Sequence, residues 1–307
     1  MGDAGTAGST APVPGAVPTA PATAAVPGAV PALPTASSAD RLGRTPLTAL
    51  LTAEFRKVLG LRYWWILGIA PAVVGLFSGA LTLPILTTLE GLVGENFAEA
   101  AAAAIGVAVA LALVFLFAAL FGVVNTGSEF QHRTIVTSFL TARGRDGVVA
   151  AKLTTAVAFG LLYCVVVETV SVLTVLMFGG GPSGDGSGAG NVAAVLGAGL
   201  FAAMLWALMG AGLGLLTGST AGSVLAITAW VPFGELIVSL ILDGLGAGAL
   251  ARLLPGQLTW YTVFTAIDLP EEVDPAVTWP AAPLGLLGWT VLLCGLGWWR
   301  TRTRDIV

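Results

Sequence analysis

Charge is the scarcest property of this sequence. Lys, Arg, Asp and Glu make up 10% of the 307 residues, while 56% are hydrophobic and the mean hydropathy is +0.91. Soluble domains carry about 25% charged residues. A water-soluble globule could not solvate such a surface, so the chain is expected to be an integral membrane protein. Two cysteines, Cys164 and Cys294, both fall inside apolar runs and offer no disulfide framework or metal-ligand spacing. A single histidine, His132, supplies no metal motif. The two lysines, Lys57 and Lys152, do not follow glycine, which excludes a P-loop. A Gly-x-Ser-x-Gly elbow with a partner histidine is absent as well. No enzyme activity and no cofactor are expected within this chain, and no nucleic-acid partner.

The first 40 residues lack Lys, Arg and bulky apolar surface; they are almost entirely Ala, Pro, Gly, Thr, Ser and Val. Without a basic start and a compact apolar run they do not read as a secretory signal. Prolines forbid a long helix, and too little apolar surface exists to offset ordering entropy. Residues 1–44 are therefore expected to form a disordered cytoplasmic tail.

What is abundant is long apolar runs. Six are long enough to cross roughly 30 Å of hydrocarbon at about 1.5 Å per residue: about 64–83, 100–124, 153–178, 192–216, 223–242 and 282–299. They are continuously apolar, not alternating, and backbone groups in lipid must be satisfied internally, so they are expected to be helices. The expected fold is all-α and membrane-embedded, a six-span domain over 64–307. Twelve of the thirteen basic residues lie before the first run, between the second and third, or after the sixth; only Arg252 lies opposite. The positive-inside rule then puts both termini in the cytoplasm, in a plasma (inner) membrane. The opposite loops hold Glu90, Glu95, Glu99, Asp185, Asp268, Glu271, Glu272 and Asp274. Trp64, Trp65, Trp298 and Trp299 mark the inner interface.

Residues 45–63 carry Leu47, Leu50, Leu51, Phe55, Val58 and Leu59 at three- and four-residue spacing, with Thr48, Thr52, Arg56 and Lys57 facing away. With Thr45 as N-cap and Pro46 in the first turn, this predicts an amphipathic helix lying along the inner membrane surface. Between the second and third runs stands a polar island, TGSEFQHRTIVTSFLTARGRDGVVAAK (126–152). Ser128 and Gln131 have capping-box spacing, Phe130, Ile135 and Phe139 form an apolar stripe, and Gly144 and Gly147 flank a turn at Arg145 and Asp146. Phe139 and Leu140 on such a helix need a cover, either lipid or a cytoplasmic partner.

Two acids fall inside apolar runs, Glu168 and Glu235, about 20–24 Å from the basic ends at the helical rise. Intramembrane acids are functional candidates by default, here for a substrate path or proton site. Pro232 is expected to kink the fifth run. Gly75 with Gly79, and Gly210 with Gly214, have GxxxG spacing and point to close helix packing. The segment 179–190 reads as a flexible loop, and 244–281 as partly re-entrant.

Across residues 46–307 the chain resembles the permease subunit of type-2 ABC exporters. The resemblance rests on the opening helix LTAEFRKVLGLRYWW, six spans with both ends inside, the RLLPGQL segment and the basic end RTRTRDIV. Its most specific part is Glu129-Phe130-Gln131-His132-Arg133-Thr134, then Arg143-Gly144-Arg145, then Ala151-Lys152. Arg133 stands where the family has glycine, which leaves room for a different local backbone. The resemblance implies that the island is a coupling helix seated in a cleft of a separate cytoplasmic ABC ATPase. Glu129, Phe130, Arg133, Thr134, Phe139, Arg143 and Arg145 would be at that contact, with ATP and magnesium on the partner. It also implies a second permease copy or a related permease, and export of small molecules, lipids or glycans. Two other classes stay open from the residues alone. One is a proton-coupled secondary transporter using Glu168 or Glu235, though no internal repeat pairs the two halves. The other is a non-transporting membrane anchor that recruits a cytoplasmic protein.

Overall fold

The computed structural model describes residues 46–93, 95–142, 144–178, 187–265 and 276–303, all within the unit Arg44–Val307. The expected tail 1–44, Thr45, Arg143 and the acidic residues Asp185, Asp268, Glu271, Glu272 and Asp274 lie outside them. Among the described residues every element is helical: α1 (Leu47–Gly60), α2 (Tyr63–Val93), α3 (Glu95–Gln131), α4 (Ile135–Thr141), α5 (Arg145–Phe178) and α6 (Ser187–Thr217) come first. Then follow α7 (Thr220–Ala229), a π-helical turn (Trp230–Gly234), α8 (Glu235–Gly244), α9 (Gly248–Ala251), α10 (Pro255–Phe264) and α11 (Ala281–Thr303).

Five segments are long and apolar enough to cross a bilayer, on α3, α5, α6, the α7–α8 unit and α11. A sixth is counted if α1 and α2, bent by 70°, are one broken span. The chain is a multi-pass membrane protein. Helix α3 packs against α2, α5, α6 and α7, and α6 packs against α3, α5, α10 and α11. These two helices are the axis of the bundle.

Their closeness has a side-chain cause. A Cβ on Gly122 would stand 2.1 Å from the Ala207 carbonyl oxygen, one on Gly210 2.0 Å from that of Ala119, and one on Gly214 2.1 Å from Thr126 Oγ1. Only glycine lets the backbones approach this far. Thr126 Oγ1 shares its single proton between Gly122 O at 2.9 Å and Ala211 O at 3.0 Å, one within its own helix and one across the seam. The Gly210–Gly214 pair thus does the packing its spacing predicts. Gly75 sits against Val167 and Ser171 of α5 in the same way, with Ser171 Oγ donating to Gly75 O at 3.3 Å.

Several local expectations are corrected. Ser128 does not cap a helix: α3 runs on to Gln131, and Ser128 Oγ donates back to Val124 O at 2.6 Å. Arg145 and Asp146 are not in a turn, because α5 already begins at Arg145; the break falls just before them. Pro46, not Thr45, occupies the N-cap of α1, in extended conformation. Ser187–Gly190 belong to α6, so the loop expected over 179–190 is shorter at that end. Within 244–281, α10 is a full helix packed on α6 and α11.

Gly210→Val should cost about 3 kcal/mol or more through overpacking against backbone. Gly288→Val, where a Cβ meets nothing within 4 Å, should stay within about 0.5 kcal/mol of the parent. Thermal unfolding of both variants in detergent checks this.

Candidate functional site

Helix α1 is held to the bundle by a face that is not purely apolar. Its buried positions are Glu54 and Val58, with Leu50, Leu51 and Phe55 half-buried beside them. Glu54 lies on this stripe by helical spacing and so points inward with the leucines. The cost of burying it is met by both lysines of the sequence. Lys57 Nζ lies 2.7 Å from Glu54 Oε1 and 2.9 Å from Glu129 Oε1. Lys152 Nζ lies 3.0 Å from Glu54 Oε2 and 2.8 Å from Glu129 Oε1. Two carboxylates and two ammonium groups alternate in a ring that joins α1, the end of α3 and the start of α5.

The Lys152 side chain is 0% exposed, that of Glu54 6% and that of Glu129 13%, while Lys57 at 44% faces outward. Burial works against the Lys57 charge, but hydrogen bonds from Lys57 to Glu54 and Glu129 outweigh it and hold its pKa above the usual lysine range. Asn125 knits the ring to the backbone: its Nδ2 donates to Lys152 O at 3.3 Å, and Lys152 Nζ reaches Asn125 O at 3.5 Å. Glu129 Oε2 is buried without a protein partner.

Beyond Gln131 the chain turns out of α3. Arg133 has φ 56°, a left-handed conformation that glycine adopts freely and other residues rarely do. At this position, where the resembled family has glycine, the backbone keeps a glycine-type turn in spite of the side chain. Short helix α4 follows. Ile135 is fully buried and packs with Phe130, Phe139, Ala142, Val148 and Leu50. Phe139 is therefore covered by the protein itself, whereas Leu140 is 74% exposed. Between α1, α4 and α5 lies a groove of about 250 Å³, lined by Glu54, Lys57, Thr137, Ser138 and Thr141. Lys57 Nζ reaches Ser138 Oγ across it at 3.3 Å.

The far side of this elbow is tied to α11. Arg145 donates to the carbonyls of Thr301 and Arg302 at 3.0 and 3.1 Å, where unsatisfied carbonyls at a helix C-terminus favour a cation. Asp146 Oδ1 accepts from Trp298 Nε1 and from Arg302 Nε, each at 3.0 Å. The Arg302 guanidinium lies 4.1 Å over the Trp298 ring. On the α1 side, an aromatic cluster adds grip: Phe121 and Phe159 stack at 4.7 Å, with Phe55, Tyr63 and Trp64 around them.

Of the residues singled out from sequence, Glu129, Phe130, Phe139 and Arg145 are turned toward the bundle as anchors of the elbow. Arg133 and Thr134 are exposed, as is His132. Sequence reasoning missed Glu54, Lys57, Asn125 and Lys152 as a set. The signal was available in a charge on the apolar stripe of α1 and in the use of both lysines near it. The two intramembrane acids are separate. Glu168 is buried and accepts from Cys164 Sγ at 3.3 Å. Glu235 lines a different cavity, with Trp230 Nε1 donating to it at 3.3 Å.

Lys152→Met leaves two largely buried carboxylates with Lys57 as their one ammonium partner and should cost about 3 kcal/mol. Adding Glu54→Gln should recover part of that loss, whereas Lys57→Met alone, at the exposed corner, should cost no more than about 1 kcal/mol. Thermal unfolding in detergent of the parent, both lysine variants, Glu54→Gln alone and the double variant reads the coupling. No protein-family model and no curated protein matches the chain.

Proposed function

We propose that the chain is the permease subunit of an ATP-driven exporter of the type-2 ABC class. In this reading six spans cross the plasma membrane, with α2 the first and α1 lying along the inner surface. Both termini and α4 are cytoplasmic, where the basic residues collect. A separate ATPase binds ATP and magnesium, docks on α4 and supplies the energy. A second permease copy completes the exporter, and small molecules, lipids or glycans are its cargo.

The observation that carries the reading is the elbow. A seven-residue helix, Ile135–Thr141, is presented at the end of the bundle and offers an exposed Leu140 together with Thr137 and Thr141. Its supports are stiff: the charge ring on one side and the Asp146–Arg302 pair on the other. A force applied to α4 would pass directly to α1, α3, α5 and α11. A simple membrane anchor has no need of such a linkage, and a proton-driven carrier has no need of a docking helix outside the bundle.

The contact is assigned to the outward face of α4, not to the inward Phe139. When the chain is purified from its native membrane in mild detergent, a vanadate-sensitive ATPase activity should accompany it. Leu140→Asp should remove at least about 90% of that activity while leaving thermal unfolding unchanged, since exposed substitutions shift stability by about 0.5 kcal/mol or less. Phe139→Asp should instead lower stability by placing a charge in a packed cluster. Absence of associated ATP hydrolysis under every solubilisation condition would sink the proposal.

A further inference from the structure

A cavity of about 270 Å³ lies between α3, α6, the π-helical turn, α8 and α10. Its chemistry follows from Pro232. Proline lacks a backbone donor and crowds the preceding turn, and here the helix widens to a π register over Trp230–Gly234. That five-residue register sets Trp230 above Glu235, and the indole Nε1 donates to Glu235 Oε1. Gly234 makes room, because a Cβ there would stand 2.7 Å from the Trp230 ring. The same Oε1 accepts the backbone N–H of Gly256 in the first turn of α10. A Cβ on Gly256 would lie 2.2 Å from Glu235 Oε2. The carboxylate is thus fixed in place on the cavity wall.

The facing walls are aromatic. Trp206 Nε1 donates to Thr259 Oγ1 at 2.9 Å, and Thr259 Oγ1 donates to Pro255 O at 2.6 Å, so these polar atoms are used within the protein. Trp260 and Phe264 stack at 4.6 Å, and Phe115 lies on the α3 side. Among the described lining residues there is no lysine or arginine, and Glu235 is the single ionisable group. Leu236 and Trp260 at the rim are exposed, 57% and 43%, which leaves the cavity open to the bundle surface. A carboxylate among π faces, in its ionised form, attracts a cation twice over, by charge and by the ring quadrupole. An anion would be repelled, and a neutral molecule would gain at most a hydrogen bond to the carboxylate.

We propose that this cavity binds one compact organic cation, its ammonium group against Glu235 and its apolar body between Trp206, Trp260 and Phe115. The volume lies just below the range of about 300 to 1,000 Å³ typical of small-molecule sites, so a single small amine fits better than a large drug. The assignment concerns binding alone and stands whether or not an ATPase drives the chain.

The test uses the purified full chain in nanodiscs, titrated with 2-phenylethylammonium, 2-phenylethanol and phenylacetate. Binding is followed by tryptophan fluorescence and calorimetry. Saturable binding of the ammonium compound is expected, about tenfold or more tighter than the alcohol, with phenylacetate weakest. Glu235→Gln should erase the preference for the amine and leave the alcohol unchanged. Ser239→Phe fills the cavity without touching the Glu235 hydrogen bonds and should weaken amine and alcohol alike by about tenfold or more. The proposal is overturned if the wild type shows no saturable amine binding or binds amine and alcohol equally. Undiminished amine binding in Ser239→Phe also overturns it, and that variant decides the matter should Glu235→Gln not fold.

Discussion

The Lys152 side chain is fully buried, and three helices meet where its ammonium group finds its partners. An isolated ion in such surroundings would be costly by many kcal/mol. It is tolerated because Glu54 and Glu129 reach it from two other helices. A ring of this kind adds little net stability relative to a well-packed apolar core. What it adds is registry. Helix α1 can lie in one rotational setting only, since any other would withdraw Glu54 and leave Lys152 with a single partner. The position of α1, the exit of α3 and the start of α5 are therefore one geometric decision.

Around that ring the chain uses two different kinds of contact. Along the α3–α6 seam the contact is backbone against backbone, through Gly122 and Gly210. Such a seam has almost no slack, because nothing in it can rotate away. The elbow relies instead on charge-assisted hydrogen bonds and ring faces, at Arg145, Asp146, Arg302 and Trp298. The Asp146–Arg302 pair among them is about half exposed, so here side chains, not main chain, set the spacing.

The helical class and the apolar segments were legible because a 3.6-residue backbone with no polar interruption has few alternatives in lipid. Gly210–Gly214 was legible for the same reason: small residues at that spacing permit close approach. Tertiary partners were harder to read. Ser128 and Gln131 matched a capping box, yet the helix passed through them because α3 continues to gain packing as far as Glu129. Glu54 was passed over because Lys152, the counter-ion that reaches it from another helix, is 98 residues away in sequence. Phe139 was read as needing an outside cover because Leu50 and Val148, which pack in its cluster, come from α1 and α5. The cavity beside Glu235 needed the π register and α10 together, and local pattern specifies neither.

The order of the charged ring along the chain bears on biogenesis. Glu54, Lys57 and Glu129 are synthesised before Lys152. Until α5 arrives, the two carboxylates of the ring share one ammonium, that of Lys57. Entry of α5 brings the second lysine and neutralises the ring in one step. The ring between α1 and α3 is thereby closed only by the helix that follows them in the chain.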